Sequence, residues 1–331
     1  MFALALVVLA LGGLLAWRHE TTAVKLAAGT KPLRLLVPPG ASVEAIGQDL
    51  QAMGLTLHPA VFRVLARFRG VSSQLKAGEY ALTGPLSLEQ ILDQLVRGDV
   101  VRRALTVPEG RTVAEIAEIV GARGLDAAAF LAAARDASGI RDLDPGAGDL
   151  EGYLFPDTYE IPPVADAPRV LVRRMAQRFR AIVAPQLGRI AASGMSVRQV
   201  VTVASIVELE TGQAVERARI AAVFLNRLRK GMLLQTDPTV IYAMKQAGRW
   251  NGNIRRDDLQ LDSPYNTYRH AGLPPGPIGC PGRASILAVI DPAETKDLYF
   301  VSRNDGTHQF SETLVEHNRA VNRYQRRRTA S

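Results

Sequence analysis

Over residues 196–211, SVRQVVTVASIVELET, the apolar positions recur with the period of an α-helix. Val197, Val200, Val201, Ala204 and Val207 fall on one face. Ser196 follows the helix-breaking Gly194 and is placed to cap the N-terminus with its hydroxyl. Glu208 continues the apolar face, one turn after Ala204 and two after Val201. Glu210 lies about 200° further round, at about 100° per residue. The pattern therefore sends Glu208 toward a core or cleft wall and Glu210 toward solvent. Burial disfavours the charged form of a carboxylate, which suits Glu208 to general acid work. A structural hydrogen bond or ion pair accounts for such a carboxylate equally well.

The same period predicts helices over 113–124, 127–138, 168–184, 215–229 and 311–327. Before them comes an internal repeat. Val37, Pro38, Gly40, Val43, Ile46, Gly54 and Leu55 recur at a constant offset as Val107, Pro108, Gly110, Val113, Ile116, Gly124 and Leu125. Each copy reads as a strand, a Pro-Gly turn, a Ser42 or Thr112 cap, and a helix ending at glycine. Between the copies, LKAGEYAL (75–82) predicts a glycine turn into a strand, and Ser87 caps an amphipathic helix over 87–97. Tyr80 and Phe62 read as core as readily as sugar platforms. Late in the chain, LYFVS and HQFS predict a hairpin around Asn304-Asp305-Gly306.

Residues 2–17 are an uncharged apolar run ended by Arg18, His19 and Glu20. The run is a little short of the roughly 20 residues of a spanning helix, with Trp17 suited to an interface. A retained anchor and a cleaved signal peptide are the two readings. No convincing small-x-small cleavage site lies between Gly12 and Gly29, so an anchor is expected, although Arg18 and Lys25 lie after the run and no basic residue precedes it. The expected class is α+β: a membrane helix over 1–20, a polar linker over 21–32, a small α/β domain over 33–103, and a mainly helical domain over 104–331. The last carries short strands and a Pro/Gly-rich loop.

Composition narrows the function. The 331 residues carry 40 basic and 32 acidic side chains, a net charge of +8 and 47% hydrophobic content, which is a globular composition with a basic surface. Such a surface suits nucleic acid, anionic lipid or an acidic polymer. The charge concentrates in 169–180, at helical spacing, and in 323–328, so solvated faces account for it and no nucleic-acid partner is expected. A single cysteine, Cys280, cannot form an intramolecular disulfide. The five histidines are scattered, without metal-ligand spacing, and no Gly-rich loop cradles a phosphate, so neither metal nor cofactor is expected.

Three polar stretches remain. In LEGYLFPDTY (150–159), Gly152 and Pro156 prevent a continuous helix, leaving Tyr153, Phe155 and Tyr159 to offer rings, and Glu151 and Asp157 to meet hydroxyls. In LLQTDPTVIY (233–242), Asp237 precedes Pro238 and reads as a helix cap, while Gln235, Thr236 and Thr239 are uncharged groups of the kind that line sugar sites. SPYNTYRHAGLPPGPIGCPG (263–282) is a fixed loop presenting Tyr265, Asn266, Thr267, Tyr268 and Arg269. A stiff loop loses little entropy on binding a ligand. Asn266 is suited either to an acetamido group or to closing its own turn. His308 and His317 read as ordinary surface or core histidines.

These stretches, with FLNRL (224–228), stand in order around ASIVELET, and the series resembles the YceG-like family of membrane-anchored endolytic murein transglycosylases over 32–324. The resemblance implies that 33–103 is a LysM-like domain able to bind N-acetylglucosamine-containing glycan. It implies Glu208 as the catalytic glutamate, with Glu151, Tyr153, Gln235, Thr236, Asp237, Thr239, Tyr265, Asn266, Thr267 and Tyr268 contacting substrate. It further implies peptidoglycan strands and peptidoglycan synthases as partners, and a single pass through the bacterial inner membrane with the catalytic domain outside the cytoplasm. Ordinary glycosidases need two carboxylates. A lytic transglycosylase needs one, because the C6 hydroxyl of N-acetylmuramic acid attacks C1 and leaves a 1,6-anhydro end, terminating a nascent strand. The rival readings are a hydrolytic muramidase using Asp237 or Glu151 as second carboxylate, and a noncatalytic peptidoglycan-binding or division scaffold.

Overall fold

The computed structural model describes residues 2–29, 31–101 and 103–326, so the end of the basic run 323–328 lies outside the described residues. The chain divides into two compact units, one of residues 1–104 and 160–167, the other of 105–159 and 168–331.

The first unit contains α1 (Phe2–Thr22), β1 (Val24–Leu26), β2 (Leu33–Val37), α2 (Val43–Ala52), α3 (Pro59–Phe68), β3 (Gly78–Leu82), β4 (Leu86–Ser87) and α4 (Leu88–Arg97). Strand alternation puts Leu35 and Val37 of β2, and Tyr80 and Leu82 of β3, into one core with Ile46, Leu50, Phe62, Leu65, Ile91 and Leu95. The two strands run antiparallel, from Leu33 opposite Leu82 to Val37 opposite Gly78. Ser42 caps α2, and a reciprocal Ser87–Gln90 capping box starts α4, as the serines predicted. The segment read as a linker carries structure: β1 pairs antiparallel with β4. The Glu20 carboxylate accepts the Leu57 amide at 2.8 Å and the Thr56 hydroxyl at 3.1 Å, and lies 2.7 Å from Lys25 Nζ. Tyr80 and Phe62 are both fully buried. Among the described residues no single helix is long and apolar enough to cross a membrane.

The second unit is mainly helical. After β5 (Ala104–Thr106) come α5 (Val113–Ala122) and α6 (Ala127–Ala134); β6 (Thr158–Glu160) pairs with β5. There follow α7 (Ala167–Val183), α8 (Leu187–Ala192), α9 (Val197–Glu210), α10 (Arg217–Arg229), α11 (Asp237–Gln246), α12 (Arg283–Ile290), the hairpin strands β7 (Tyr299–Ser302) and β8 (His308–Ser311), and α13 (Leu314–Val321). The helix expected from 215 begins at Arg217, after a 3₁₀ turn over Ala214–Glu216. The last helix begins at Leu314 rather than 311, because β8 runs through Ser311 and Thr313 supplies the cap.

α9 is the centre of this unit. Ser196 and Gln199 form its capping box, and every residue from Val200 to Val207 is buried. α8, α10, α11 and α12 all pack on it. From Val200 to Val207 the helix is thus enclosed on every face, and its polar Ser205 is satisfied internally. That hydroxyl donates to Thr202 O at 2.8 Å and accepts the Ile278 amide at 3.1 Å, fixing the Pro/Gly-rich loop to the helix. From α10, Asn226 donates to the carbonyls of Thr295 and Asp297, both at 2.9 Å, and Arg227 donates to those of Leu233, Leu234 and Leu298. Two side chains of FLNRL therefore hold five loop carbonyls.

The end of the Pro/Gly-rich loop pairs with the turn before α5: Gly110 donates to Cys280 O and Cys280 to Arg111 O, each at 2.8 Å. A Cβ on Gly279 would stand 2.6 Å from Gly110 O, closer than real contacts allow. Gly279→Ala should therefore destabilise the chain by about 1–3 kcal/mol through overpacking. Gly139→Ala, whose Cβ would meet nothing within 4 Å, should stay within about 0.5 kcal/mol of wild type. Thermal unfolding of the two variants beside wild type checks this, and equal melting temperatures would contradict the packing argument.

Candidate active site

The last turn of α9 carries two glutamates into two different environments. Glu208 has both oxygens occupied: Oε2 accepts the Gly282 amide at 2.9 Å, and Oε1 faces Arg217 Nη2 at 3.3 Å. Its side chain is only 5% exposed. Glu109, from the turn before α5, lies beside it as a hydrogen-bond partner and is 3.9 Å from the same Arg217 nitrogen. Burial and the neighbouring Glu208 charge push the Glu109 carboxyl above the usual range, against the pull of Arg217.

Glu210 does not point to solvent. The side of α9 opposite Glu208 is also lined by protein, with Thr236 against Glu210, and the expectation of a solvated Glu210 is corrected. Its Oε1 accepts the Thr236 hydroxyl. Burial raises its carboxyl above the ordinary range, and the charge of Asp237 adds to the effect; Thr236, His308 and Arg227 oppose it. Asp237 is exposed and accepts the Tyr268 hydroxyl at 2.6 Å. It is not the cap of α11, which is Thr236; Asp237 opens the helix, with Pro238 behind it. Burial, then Asp237, raises the Tyr268 phenol. Nearby, Glu216 grips His308 twice, accepting its amide at 2.9 Å and meeting Nδ1 at 2.7 Å.

The threonines expected to meet sugar form a buried brace instead. Thr236 N donates to Thr267 Oγ1 at 3.1 Å, and the Thr239 and Thr267 hydroxyls share a hydrogen bond of 2.9 Å. The Thr239 hydroxyl also bonds Thr236 O at 2.8 Å. The brace fixes the 235–239 turn to the 266–268 turn. Gln235 remains exposed above it with φ 51°, a conformation costly for a non-glycine residue. Asn266 closes its own loop: its amide donates to the carbonyls of Leu259 and Leu261, and its oxygen accepts the Tyr268 amide. Tyr265 lies against Tyr242, ring centroids 4.9 Å apart.

The LEGYLFPDTY stretch also departs from expectation. Tyr153 is core, edge-on to Phe179 with centroids 5.1 Å apart, and its hydroxyl donates to Asp144. Its ring has no free face for a sugar. Glu151 accepts the first amide of α5, from Val113, at 3.2 and 3.3 Å, and the Tyr242 hydroxyl at 3.4 Å. The structure therefore groups Glu210, Thr236, Asp237, Tyr268 and Gln235 at one side of the α9 terminus and Glu208 at the other, and leaves Tyr153, Thr239 and Asn266 as supports.

Sequence reasoning missed Glu109, Arg217 and Gly282. One signal for Glu109 existed: the second repeat copy reads VPEG where the first reads VPPG, so Glu109 replaces Pro39. Among the described residues no cluster of His, Cys, Asp or Glu could hold a metal.

Burial, aided by Asp149 and opposed by the Val113 amide, pushes the Glu151 carboxyl from 4.5 up to about 8. Between those values the folded chain holds a proton that the unfolded chain releases, so this contribution to stability is complete at low pH and lost as pH rises through about 8. Glu151→Gln keeps the neutral form and its acceptor for Val113. The wild type should therefore lose melting temperature between pH 5 and 8 relative to Glu151→Gln, and parallel curves would show that Glu151 is not buried as a neutral acid.

Known proteins are similar to this chain over most of its length. The YceG-like family matches residues 35–323. A Bacillus subtilis (strain 168) protein named endolytic murein transglycosylase is 33% identical over 304 residues, covering 87% of this chain and 83% of that protein. A Streptococcus pneumoniae serotype 2 (strain D39 / NCTC 7466) protein of the same name is 33% identical over 316 residues, 86% of this chain but 57% of the longer relative. A crystal structure of a YceG-like protein from Listeria monocytogenes superposes with a TM-score of 0.59 at 32% identity, covering 87% of this chain and 98% of that one. With the family matched over most of its length and a relative one-third identical across most of both proteins, the chain belongs to the YceG-like family.

Proposed function

We propose that this chain is an endolytic lytic transglycosylase that cuts the β-1,4 bond between N-acetylmuramic acid and N-acetylglucosamine inside peptidoglycan strands, and that Glu210 is its single general acid and base. The observation that carries the assignment is the pairing of burial with a free oxygen. Glu210 is desolvated, is engaged on one oxygen by Thr236, and lies beside the exposed Asp237 and Tyr268. Glu208, the residue expected from the helical face, has both oxygens already engaged by Arg217 and Gly282. Support for the substrate comes from the relatives' shared name.

In the first step the Glu210 proton passes to the glycosidic oxygen as the C1–O bond breaks. The ionised Glu210 then takes the proton of the C6 hydroxyl as that oxygen bonds to C1. The proton count closes without water, and the new end is a 1,6-anhydro sugar. Asp237 holds negative charge near Glu210, which keeps the acid protonated at higher pH. The pair also supports a second reading, a hydrolytic muramidase in which Asp237 activates water.

The same reading makes α1 a single-pass anchor in the inner membrane, drawing on the apolar run at 2–17. It makes the first unit a LysM-like glycan holder, and peptidoglycan synthases the partners whose nascent strands are ended by the cut.

Mass spectrometry of digested sacculi tests the chemistry. Glu210→Gln should lose about 10²- to 10⁴-fold in turnover, the range of general acid catalysis, and Glu208→Gln should lose clearly less. Anhydro ends, lighter by one water than hydrolytic ends, are the expected product; ordinary reducing ends would establish the muramidase. A dead Glu208→Gln beside an active Glu210→Gln would return the acid to Glu208. Asp237→Asn should move the alkaline limb of the kcat profile to lower pH, because it removes a charge that raises Glu210. For location, the full chain should stay in the membrane pellet through high-salt washing. Release in soluble form would remove the anchor.

A further inference from the structure

Opposite Glu210, the end of α9 meets a group of charges that the proton transfers do not use. Glu109 and Glu208 are hydrogen-bond partners, and both face one cation, Arg217, at 3.9 and 3.3 Å. Arg217 is largely buried, 12% exposed, and its Nε makes no hydrogen bond. Two carboxylates that share one guanidinium favour keeping a proton between them, since a single guanidinium neutralises only one. The location sharpens the conflict: this is the C-terminal end of a helix, where the dipole already adds negative charge.

The place of the proton follows from the contacts. Glu208 receives two donors, the Gly282 amide and Arg217, so both of its oxygens already act as acceptors. Glu109 receives no comparable bond and stands half-exposed against the α-carbon of Gly282. A Cβ on Gly282 would lie 1.7 Å from Glu109 Oε1, so the glycine is what makes room for that carboxyl. The charged groups acting on Glu109 are Glu208 from α9 and Arg217 from α10, and Gly282, the cap of α12, brings only backbone.

We propose that Glu109 is a positioning residue whose protonated carboxyl donates to Glu208, closing a Glu109–Glu208–Arg217 triad that fixes the last turn of α9 and so the aim of Glu210. The role rests on the reading of Glu210 as the acid. Arg217 begins α10 directly after Glu216, the residue that grips His308 beside Glu210. The triad thus holds one end of the Glu216–Arg217 pair and the His308 contact the other. Loss of the Glu109 proton would set two carboxylates against one guanidinium and loosen this turn.

The test compares three variants of the full chain with wild type. Glu109→Gln keeps a neutral donor and should retain kcat within about threefold at neutral pH, with an alkaline limb less steep than that of wild type. Glu109→Ala, and Gly282→Ala, which displaces Glu109 without altering it, should each lower kcat about 10- to 10²-fold with KM little changed, as expected of misplaced chemistry. The pH dependence of thermal unfolding gives a readout independent of turnover: wild type should lose stability relative to Glu109→Gln as pH rises above the ordinary carboxylate range, since its raised carboxyl holds a proton only in the folded state. Glu109→Gln as impaired as Glu109→Ala, or Glu109→Ala with wild-type kcat and wild-type pH profile, would overturn the proposal. A wild type that forms no anhydro ends while the unfolding difference appears would instead reject the transglycosylase reading and keep the shared proton.

Discussion

The enclosure of α9 is the constraint from which the rest of the second unit follows. Covered by α8, α10, α11 and α12, the helix is buried without a break from Val200 to Val207 and leaves little accessible surface to the glutamates of its last turn. Carboxylates near its end must be neutralised, paired or hydrogen-bonded, because an isolated buried charge costs more than folding can supply. The two glutamates meet the demand differently. Glu208 takes a cation and a backbone amide; Glu210 takes one hydroxyl and stays desolvated. That asymmetry separates a carboxyl engaged on both oxygens from one engaged by a single hydroxyl.

Side chains of α10 hold the neighbouring loops by donating to their backbone carbonyls. Asn226 and Arg227 together engage the carbonyls of Leu233, Leu234, Thr295, Asp297 and Leu298. The threonine brace then sets the 235–239 turn against the 266–268 turn. Such buried polar networks fix a geometry when fully satisfied, and they explain why polar residues of three distant stretches converge here. The backbone at Gln235, left-handed without being glycine, is held in that state by the brace beneath it.

Much of this was readable from the chain. Apolar periodicity located α9, α5 and α10 to within a few residues, and the caps at Ser42, Ser87, Thr112 and Ser196 were legible because the hydroxyl precedes each apolar run. Asn304 and Gly306 marked the β7–β8 turn, where both adopt positive φ. The site was legible as a set of stretches but not as roles. Reading a face from periodicity presumes that the other face is wet, which held for α4 and failed for α9, where Thr202 and Ser205 are as buried as the valines. Polar type alone could not separate a sugar contact from a brace, so Asn266 and Thr239 looked alike in sequence to Gln235 and Asp237. Pairings such as Glu208 with Arg217, or Glu109 with Gly282, depend on how separate loops meet and leave no local pattern.

The spacing of the two glutamates is what lets one helix end serve both purposes. Residues two apart on a helix project about 200° from each other, so Glu208 and Glu210 cannot share a partner. One meets the turn before α5 and the start of α12; the other meets the start of α11 and the neighbourhood of the β7–β8 hairpin. Were the spacing three or four, both carboxylates would fall on one face, compete for Arg217, and titrate as a coupled pair. With the spacing at two, the pair that couples is Glu208 with Glu109, from a different part of the chain. Glu210 is left to couple with Asp237, whose carboxylate is exposed and steadied by Tyr268. The helix therefore places its two acids in separate electrostatic circles, and the leucine between them, Leu209, is free to face outward because neither circle needs it.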